Sequence, residues 1–270
     1  MRSELAEKVV VITGASGAIG SAMALRFAEE GARLVLHYRS NRANAEALQR
    51  KLKSTESIIV AADLSKEVQV RPMFVRVLKQ FGRVDTLVVN AGSWESRDTP
   101  VDQMSLRQWQ HTLDNVLTSA FLSLRGFFQI VARQKRGNAL LIGSTAGVFG
   151  EAGHADYASA KSAMAFGLTR SLKNEIARIA PPTKTYCGGR VNCICPGWTI
   201  VPRTAERLKD AKVIRRVTAT MALPKLAKPD DMAGAAVFLS SDSLAGHITG
   251  QTLVIAGGME GRLLWPGDKI

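Results

Sequence analysis

Lys8-Val9-Val10-Val11-Ile12-Thr13-Gly14-Ala15-Ser16-Gly17-Ala18-Ile19-Gly20 is the stretch whose reading decides the fold. Its first half is a β-branched run, as expected of a strand buried on both faces of a parallel sheet. Its second half is a glycine turn, and Ser21 to Glu30 beyond it reads as a helix. Strand, glycine turn and helix in that order are the context a dinucleotide fingerprint needs. Glycines let the backbone approach a pyrophosphate, and a helix N-terminus offers free N–H groups and partial positive charge. A glycine turn alone is a common connection, so the reading depends on the residues further along the chain.

The second strand reads as Arg33 to Tyr38. Sites for NAD often place an acid just after this strand to hold the ribose 2′-hydroxyl. No acid lies between Ala32 and Ala45; Arg39, Ser40, Asn41 and Arg42 stand there instead. The guanidinium fork suits a 2′-phosphate. The expectation is NADP(H) over NAD(H), against the plainer alternative of two solvated arginines at a helix start.

Strand and helix patterns then alternate to the end of the chain. Further strands are expected at Ser57–Ala61, Thr86–Asn90, Ala139–Gly143, Arg190–Cys195 and Thr252–Ala256. Helices are expected at Asn44–Lys53, Val68–Phe81, Gln108–Arg133, Tyr157–Ile179 and Asp230–Leu239. This is the rhythm of a doubly wound, mostly parallel seven-stranded sheet with helices on both faces, in one domain over residues 1–270. Gly14, Asn90, Ser144 and Pro196 all fall just after strands, at the carboxyl edge where such folds bind ligands.

Tyr157-Ala158-Ser159-Ala160-Lys161 adds chemistry, with Ser144 upstream. Helical spacing stacks Tyr157 and Lys161 about one turn apart. A free tyrosine, with a pKa of about 10, is a poor acid or base at neutral pH. A fixed ammonium favours the phenolate, which would let Tyr157 exchange a proton with a carbonyl or alcohol oxygen held by Ser144. A Tyr and a Lys at this spacing also arise by chance as a half-buried ring and a solvated charge.

Taken together, these motifs resemble the short-chain dehydrogenase/reductase family over nearly the whole chain. Thr13 to Gly20 is similar to the family's glycine turn, with Ala18 in place of its middle glycine. Asp63-Leu64 matches the pair that contacts adenine, and Asn90-Ala91-Gly92 the motif after the fourth strand. Pro196-Gly197 matches the pair flanking the nicotinamide, with Thr199 close to Val201, where the family often has Thr. The resemblance implies a Rossmann-type fold and a catalytic set of Ser144, Tyr157, Lys161 and Asn115. It further implies dinucleotide contacts from Gly14, Ser16, Ala18, Ile19, Gly20, Arg39, Ser40, Asp63 and Leu64 in the first half. Asn90, Ala91, Gly92, Tyr157, Lys161, Pro196, Gly197 and Thr199 would complete them. Lys161 would hold the nicotinamide ribose and lower the Tyr157 pKa, and Asn115 would anchor a water relay. The residues after Pro196-Gly197, about 198–228, would form a substrate lid, with Trp94, Glu95, His154 and Trp198 bordering the pocket.

The formal charge is +13 and the isoelectric point about 10.1. Residues 201–229 carry eight basic and two acidic side chains, Arg215, Arg216, Lys225 and Lys228 among them. Such a lid suits an anionic substrate or carrier: a carboxylate, a phosphate or an acyl thioester. Arg133, Lys135 and Arg136 fall where carrier-dependent relatives have docking residues. The alternative is a solvated basic face. Nucleic-acid binding is not expected, because the basic residues are not interleaved with aromatic ones. Cys193 and Cys195 share one face of a strand and read as buried thiols, with no metal site expected.

No apolar run reaches the length of a membrane span. Met1 to Glu7 is short and polar, so neither a membrane nor a signal peptide is expected, and the location expected is the cytoplasm. The resemblance implies a homodimer or homotetramer built on the two long helices, with the tail Glu260 to Ile270 reaching a neighbour. The leading function is an NADP(H)-dependent carbonyl reductase, a 3-oxoacyl thioester reductase being one form. A reductase of small ketones, sugars or polyols and a non-catalytic dinucleotide sensor are the alternatives.

Overall fold

The computed structural model describes residues 3–95 and 97–259. The strands are β1 (Val9–Ile12), β2 (Arg33–Tyr38), β3 (Ser57–Ala61), β4 (Thr86–Val89), β5 (Asn138–Ile142), β6 (Arg190–Pro196) and β7 (Thr252–Ile255). They form one sheet in the order β3-β2-β1-β4-β5-β6-β7, and every pairing is parallel, not merely most of them. Chain order reverses between β1 and β4, which opens a crevice at their carboxyl ends.

The helices are α1 (Ala18–Glu29), α2 (Arg42–Lys51), α3 (Glu67–Phe81), α4 (Leu106–Leu113), α5 (Ser119–Gln134), α6 (Thr145–Phe149), α7 (Ala155–Ser162), α8 (Thr169–Ile179), α9 (Pro202–Ala205), α10 (Ala211–Thr218), α11 (Pro229–Ser240) and α12 (Asp242–Ala245). Alternation along the strands builds a core on each face. Val9, Val11, Leu87 and Leu141 pack with Phe74 of α3, Phe127 of α5 and Ile176 of α8. Val10, Ile12, Leu34 and Leu140 face the other way, onto Met23 and Phe27 of α1 and Met232 and Ala236 of α11. Phe27 and Phe127 are fully buried, and burying such a side chain is worth about 1.5–3 kcal/mol.

Each long helix expected from the sequence carries a π-helical turn. Asp114–Thr118 joins α4 to α5, and Ala163–Leu168 joins α7 to α8. Hydroxyls take up carbonyls in both turns: Ser119 Oγ donates to Asn115 O at 2.7 Å, and Thr169 Oγ1 to Met164 O at 2.8 Å. A one-residue bulge barely disturbs apolar spacing, which is why periodicity did not show it.

The unit Leu106–Gln134 spans 29 residues and by length and composition alone could cross a membrane. Half of its most apolar window is buried, with Val116, Ala120, Leu124 and Phe127 in the core below the sheet. Cys193 and Cys195 point to one face, as expected, with sulfurs 3.9 Å apart. The expected tail contact, Glu260 to Ile270, lies outside the described residues.

Candidate active site

The crevice is a cleft of about 640 Å³, within the range of small-molecule sites. Its floor is the glycine turn. Gly14 adopts φ +64°, and a Cβ there would lie 3.0 Å from Ala91 Cα. A Cβ on Gly20 would lie 2.4 Å from Gly14 O, so α1 starts this close to β1 only because position 20 is glycine. No side chain caps α1 and its first turn holds no acid; Ala18 and Ile19 of that turn line the cleft. This is a backbone cradle fitted to a pyrophosphate.

Three polar residues hold the cradle, Thr13 and His37 buried and Asn90 half-buried. Thr13 Oγ1 accepts from Asn90 N at 2.8 Å and Ala91 N at 2.9 Å, and Asn90 Nδ2 donates to Thr13 O at 2.9 Å. These bonds join the ends of β1 and β4. His37 was not found from sequence. Its Nδ1 accepts from Gly14 N at 3.0 Å, and its Nε2 lies 2.9 Å from Ala62 O, which assigns the proton to Nε2. Burial pushes its pKa down to about 4, so it is neutral near pH 7. The available signal was a lone imidazole inside an apolar strand.

Gly14, Ser16, Ala18, Ile19, Gly20, Arg39, Ser40, Asp63, Leu64, Asn90, Ala91 and Gly92 all line the cleft. So do Ser144, Tyr157, Lys161, Asn115, Pro196, Gly197 and Thr199. Arg42 does not; it is exposed and pairs with Glu46 at 2.7 Å. Arg39 Nη1 donates to Asn115 Oδ1 at 2.6 Å, and Asn115 Nδ2 lies 2.8 Å from His111 Nε2. Asn115, on the first π-helical turn, thus lies between the Arg39 and His111 side chains. The Thr199 hydroxyl donates to Gly197 O at 2.9 Å.

Ser144 follows β5 and caps α6, its Oγ accepting from Ala146 N at 3.1 Å. Tyr157 and Lys161 lie on α7. Asp156, buried in the first turn of α7, accepts from Tyr157 N at 2.8 Å and from Thr112 Oγ1 at 2.6 Å, which docks α7 on α4. The Ser144 hydroxyl is near enough to the Tyr157 hydroxyl to favour its ionised form. Lys161 Nζ lies 5.7 Å from the Tyr157 ring centre and donates to Ile142 O at 2.6 Å.

The electrostatics correct one expectation. Burial dominates at Tyr157 and raises its pKa above the ordinary phenol value, only partly offset by the Ser144 hydroxyl. The Lys161 ammonium is not among the leading influences on it. Lys161 is itself buried, and burial pulls its pKa down to about 8. Tyr157 is partly exposed as a residue, but its hydroxyl lies deep in the cleft, so the desolvation holds.

Close packing fixes α6 against α7. A Cβ on Gly147 would lie 2.6 Å from the backbone at Lys161 and Ser162. Gly147→Ala is expected to cost about 1–3 kcal/mol and to lower turnover more than dinucleotide affinity, because it parts Ser144 from Tyr157. Thermal melts beside kcat and dissociation-constant measurements check this.

The outer wall also departs from expectation. Trp94 and Trp198 line the cleft, but Glu95 lines a neighbouring depression with Arg97, Arg107 and His111. His154 is buried, its Nε2 3.0 Å from Asp98 Oδ1, and is not a lining residue. Glu151 lines the cleft instead. Of the basic residues after β6, Arg203 and Arg207 line the cleft, whereas Arg215, Arg216, Lys225 and Lys228 do not. Arg133 at the end of α5, and Lys135 and Arg136 after it, precede β5 at the sheet edge opposite the cleft. Arg136 there stacks on Tyr186 at 4.5 Å.

A doubly wound parallel sheet, a pyrophosphate cradle at its switch point, and a Ser-Tyr-Lys cluster in the same cleft define the class of dinucleotide-dependent oxidoreductases. A protein-family model described as Enoyl-(Acyl carrier protein) reductase matches residues 14–260. A 3-oxoacyl-[acyl-carrier-protein] reductase of Synechocystis sp. is 33% identical over 257 residues, covering 94% of this chain and 98% of the relative. FabG, the 3-oxoacyl-[acyl-carrier-protein] reductase of Staphylococcus epidermidis, is 32% identical over 254 residues, covering 93% and 98%. Among solved structures, a putative gluconate dehydrogenase from Agrobacterium tumefaciens superposes with a TM-score of 0.87 at 27% identity, covering 96% of this chain and 98% of that one. The protein gox2181 superposes with 0.86 at 26%, covering 94% and 96%. The chain belongs to the short-chain dehydrogenase/reductase family and is an oxidoreductase.

Proposed function

We propose that this protein is an NADP(H)-dependent carbonyl reductase acting on 3-oxoacyl thioesters, with Tyr157 as proton donor. The observation that carries the reading is the meeting of Ser144, Tyr157 and Lys161 in the cleft that also holds the glycine cradle and Arg39. A nicotinamide dinucleotide, when bound, supplies the hydride. Ser144 holds the substrate oxygen and Tyr157 gives it a proton. Lys161, a buried cation, stabilises negative charge at that oxygen and re-protonates Tyr157. Asn115, hydrogen-bonded to His111, leads that proton path outward. The thioester preference rests on the reductases at 33% and 32% identity.

Arg39, Ser40, Asn41 and Asn44 surround the place for a 2′-phosphate. Arg39→Ala is expected to raise the KM for NADPH roughly tenfold or more, the size of one charge-assisted hydrogen bond, and to leave that for NADH nearly unchanged. Loss of nicotinamide absorbance with each dinucleotide over a panel of thioesters, ketones and sugars tests both substrate and cofactor. Equal KM shifts for the two dinucleotides would remove Arg39 from phosphate recognition.

A second reading, a dehydrogenase of small polyols or sugar acids, is favoured by the likeness to the putative gluconate dehydrogenase. We further propose one domain with a lid over about 198–228, and a homodimer or homotetramer through the α4–α5 and α7–α8 units, where Phe121 of α5 is exposed. Half of the most apolar window of the long helix is buried in the core, in keeping with a cytoplasmic enzyme.

A further inference from the structure

Arg203 stands apart from the other basic side chains of the proposed lid. Its guanidinium lies 4.9 Å from the Trp94 ring, and the Trp94 ring lies 5.7 Å from that of Tyr157. Those two legs bound its distance from the reacting hydroxyl. Arg203 Nη1 donates to Trp94 O at 2.9 Å, so the fork is held at both its face and one edge. A guanidinium has five N–H donors, and this one has no carboxylate partner among the described residues. Arg207, which also lines the cleft, differs: it lies 5.6 Å from the Trp198 ring and 3.8 Å from Asp98, which offsets its charge. The Arg203 charge is felt at Tyr157, where it favours the ionised phenol against the larger effect of burial. Glu151 lines the same cleft, so an anion gains there only where a guanidinium faces it.

We infer that Arg203 binds an anionic group on the substrate, and that the preferred substrates are carbonyl compounds carrying a carboxylate or a phosphate within its reach. This rests on the reductase reading and names the side chain that selects within it. A planar fork stacked on an indole is pre-organised for two oxygens of a carboxylate or phosphate, and stacking leaves its outer edge open. Arg203 is a specificity-determining residue; the proton still passes through Tyr157.

The test compares three substrates: a 3-oxoacyl N-acetylcysteamine thioester, which is neutral; the matching 3-oxoacyl coenzyme A, whose phosphates sit on the handle; and a short oxo acid with a free carboxylate. Wild type, Arg203→Ala, Arg203→Lys and Arg207→Ala are compared by kcat and KM with NADPH. In wild type, the ratio of kcat/KM for anionic over neutral substrate is expected to exceed one and to fall as salt rises. Arg203→Ala should lower that ratio at least tenfold, mainly through KM. Arg203→Lys should restore part of it, and Arg207→Ala should change it less. A loss confined to the oxo acid assigns a carboxylate; one confined to the coenzyme A ester assigns a phosphate. An unchanged ratio in Arg203→Ala overturns the inference while leaving the reductase reading intact. An equal loss on all three substrates, with a lower melting temperature, also overturns it, as a structural role. If wild type reduces none of the three, neutral thioester included, the reductase reading itself fails and the inference with it.

Discussion

Tyr157→Phe is expected to lower kcat for carbonyl reduction by about 10²–10⁴, the usual worth of a positioned general acid, while leaving dinucleotide affinity close to that of the parent. The substitution removes one O–H. The ring would keep its place 5.7 Å from Trp94, and α7 would keep its anchor through Asp156. Burial raises the Tyr157 pKa, so at neutral pH the hydroxyl is protonated, the form that reduction consumes. Alcohol oxidation needs the ionised phenol, so its rate should climb with pH well beyond neutrality, while reduction should fall. Steady-state rates in both directions across pH, beside titration of dinucleotide binding, check these expectations. A variant that retained a tenth of the parent kcat would show that the proton comes from another group.

Lys161→Met is expected to abolish turnover and yet make the free protein more stable at neutral pH. Lys161 is 3% exposed, and its buried ammonium has one hydrogen bond, to Ile142 O. Burial pulls its pKa from 10.5 to about 8 in the folded protein. Between those values the unfolded chain binds more protons than the folded one, so stability rises with pH across that window. At pH 7 both states are charged, and the folded state bears the full cost of burying that charge. An apolar chain of similar length removes this cost and forfeits one hydrogen bond. The expected net gain is about 1–3 kcal/mol. Urea unfolding of both proteins from pH 7 to 10.5 tests the sign: the advantage of the variant should shrink as pH rises. A variant less stable than the parent at pH 7 would mean that the Ile142 bond outweighs the burial. Both outcomes bear on why so costly a residue sits here, since a buried cation beside a phenol serves chemistry at the expense of stability.

Much of this is legible in the sequence. The alternation of β-branched runs with helical segments requires a parallel sheet covered on both faces, and all seven strands fall within two residues of their expected ends. The glycine turn was readable because only glycine tolerates the approach of α1 to β1. Other features were not, for particular reasons. His37 looked like one more strand residue, because its two bonds go to Gly14 and Ala62, on neighbouring elements. The π-helical turns leave apolar spacing almost intact. Arg42 and Arg39 had equal claims on a phosphate until the direction of α2 turned Arg42 outward to Glu46.

The sequence by itself determined the order of elements, the cradle and the residue types of the reacting cluster, because these follow from local steric and hydrogen-bonding needs. The tertiary structure alone decided which charges face the cleft. Eight basic residues between 201 and 229 look alike in a string, but only Arg203 and Arg207 line the site, because side-chain direction depends on how α9 sits over Trp94. It also decided the sign of the Tyr157 shift. Proximity to an ammonium can be guessed from spacing, whereas desolvation depends on everything packed around the hydroxyl, and here desolvation is the larger effect.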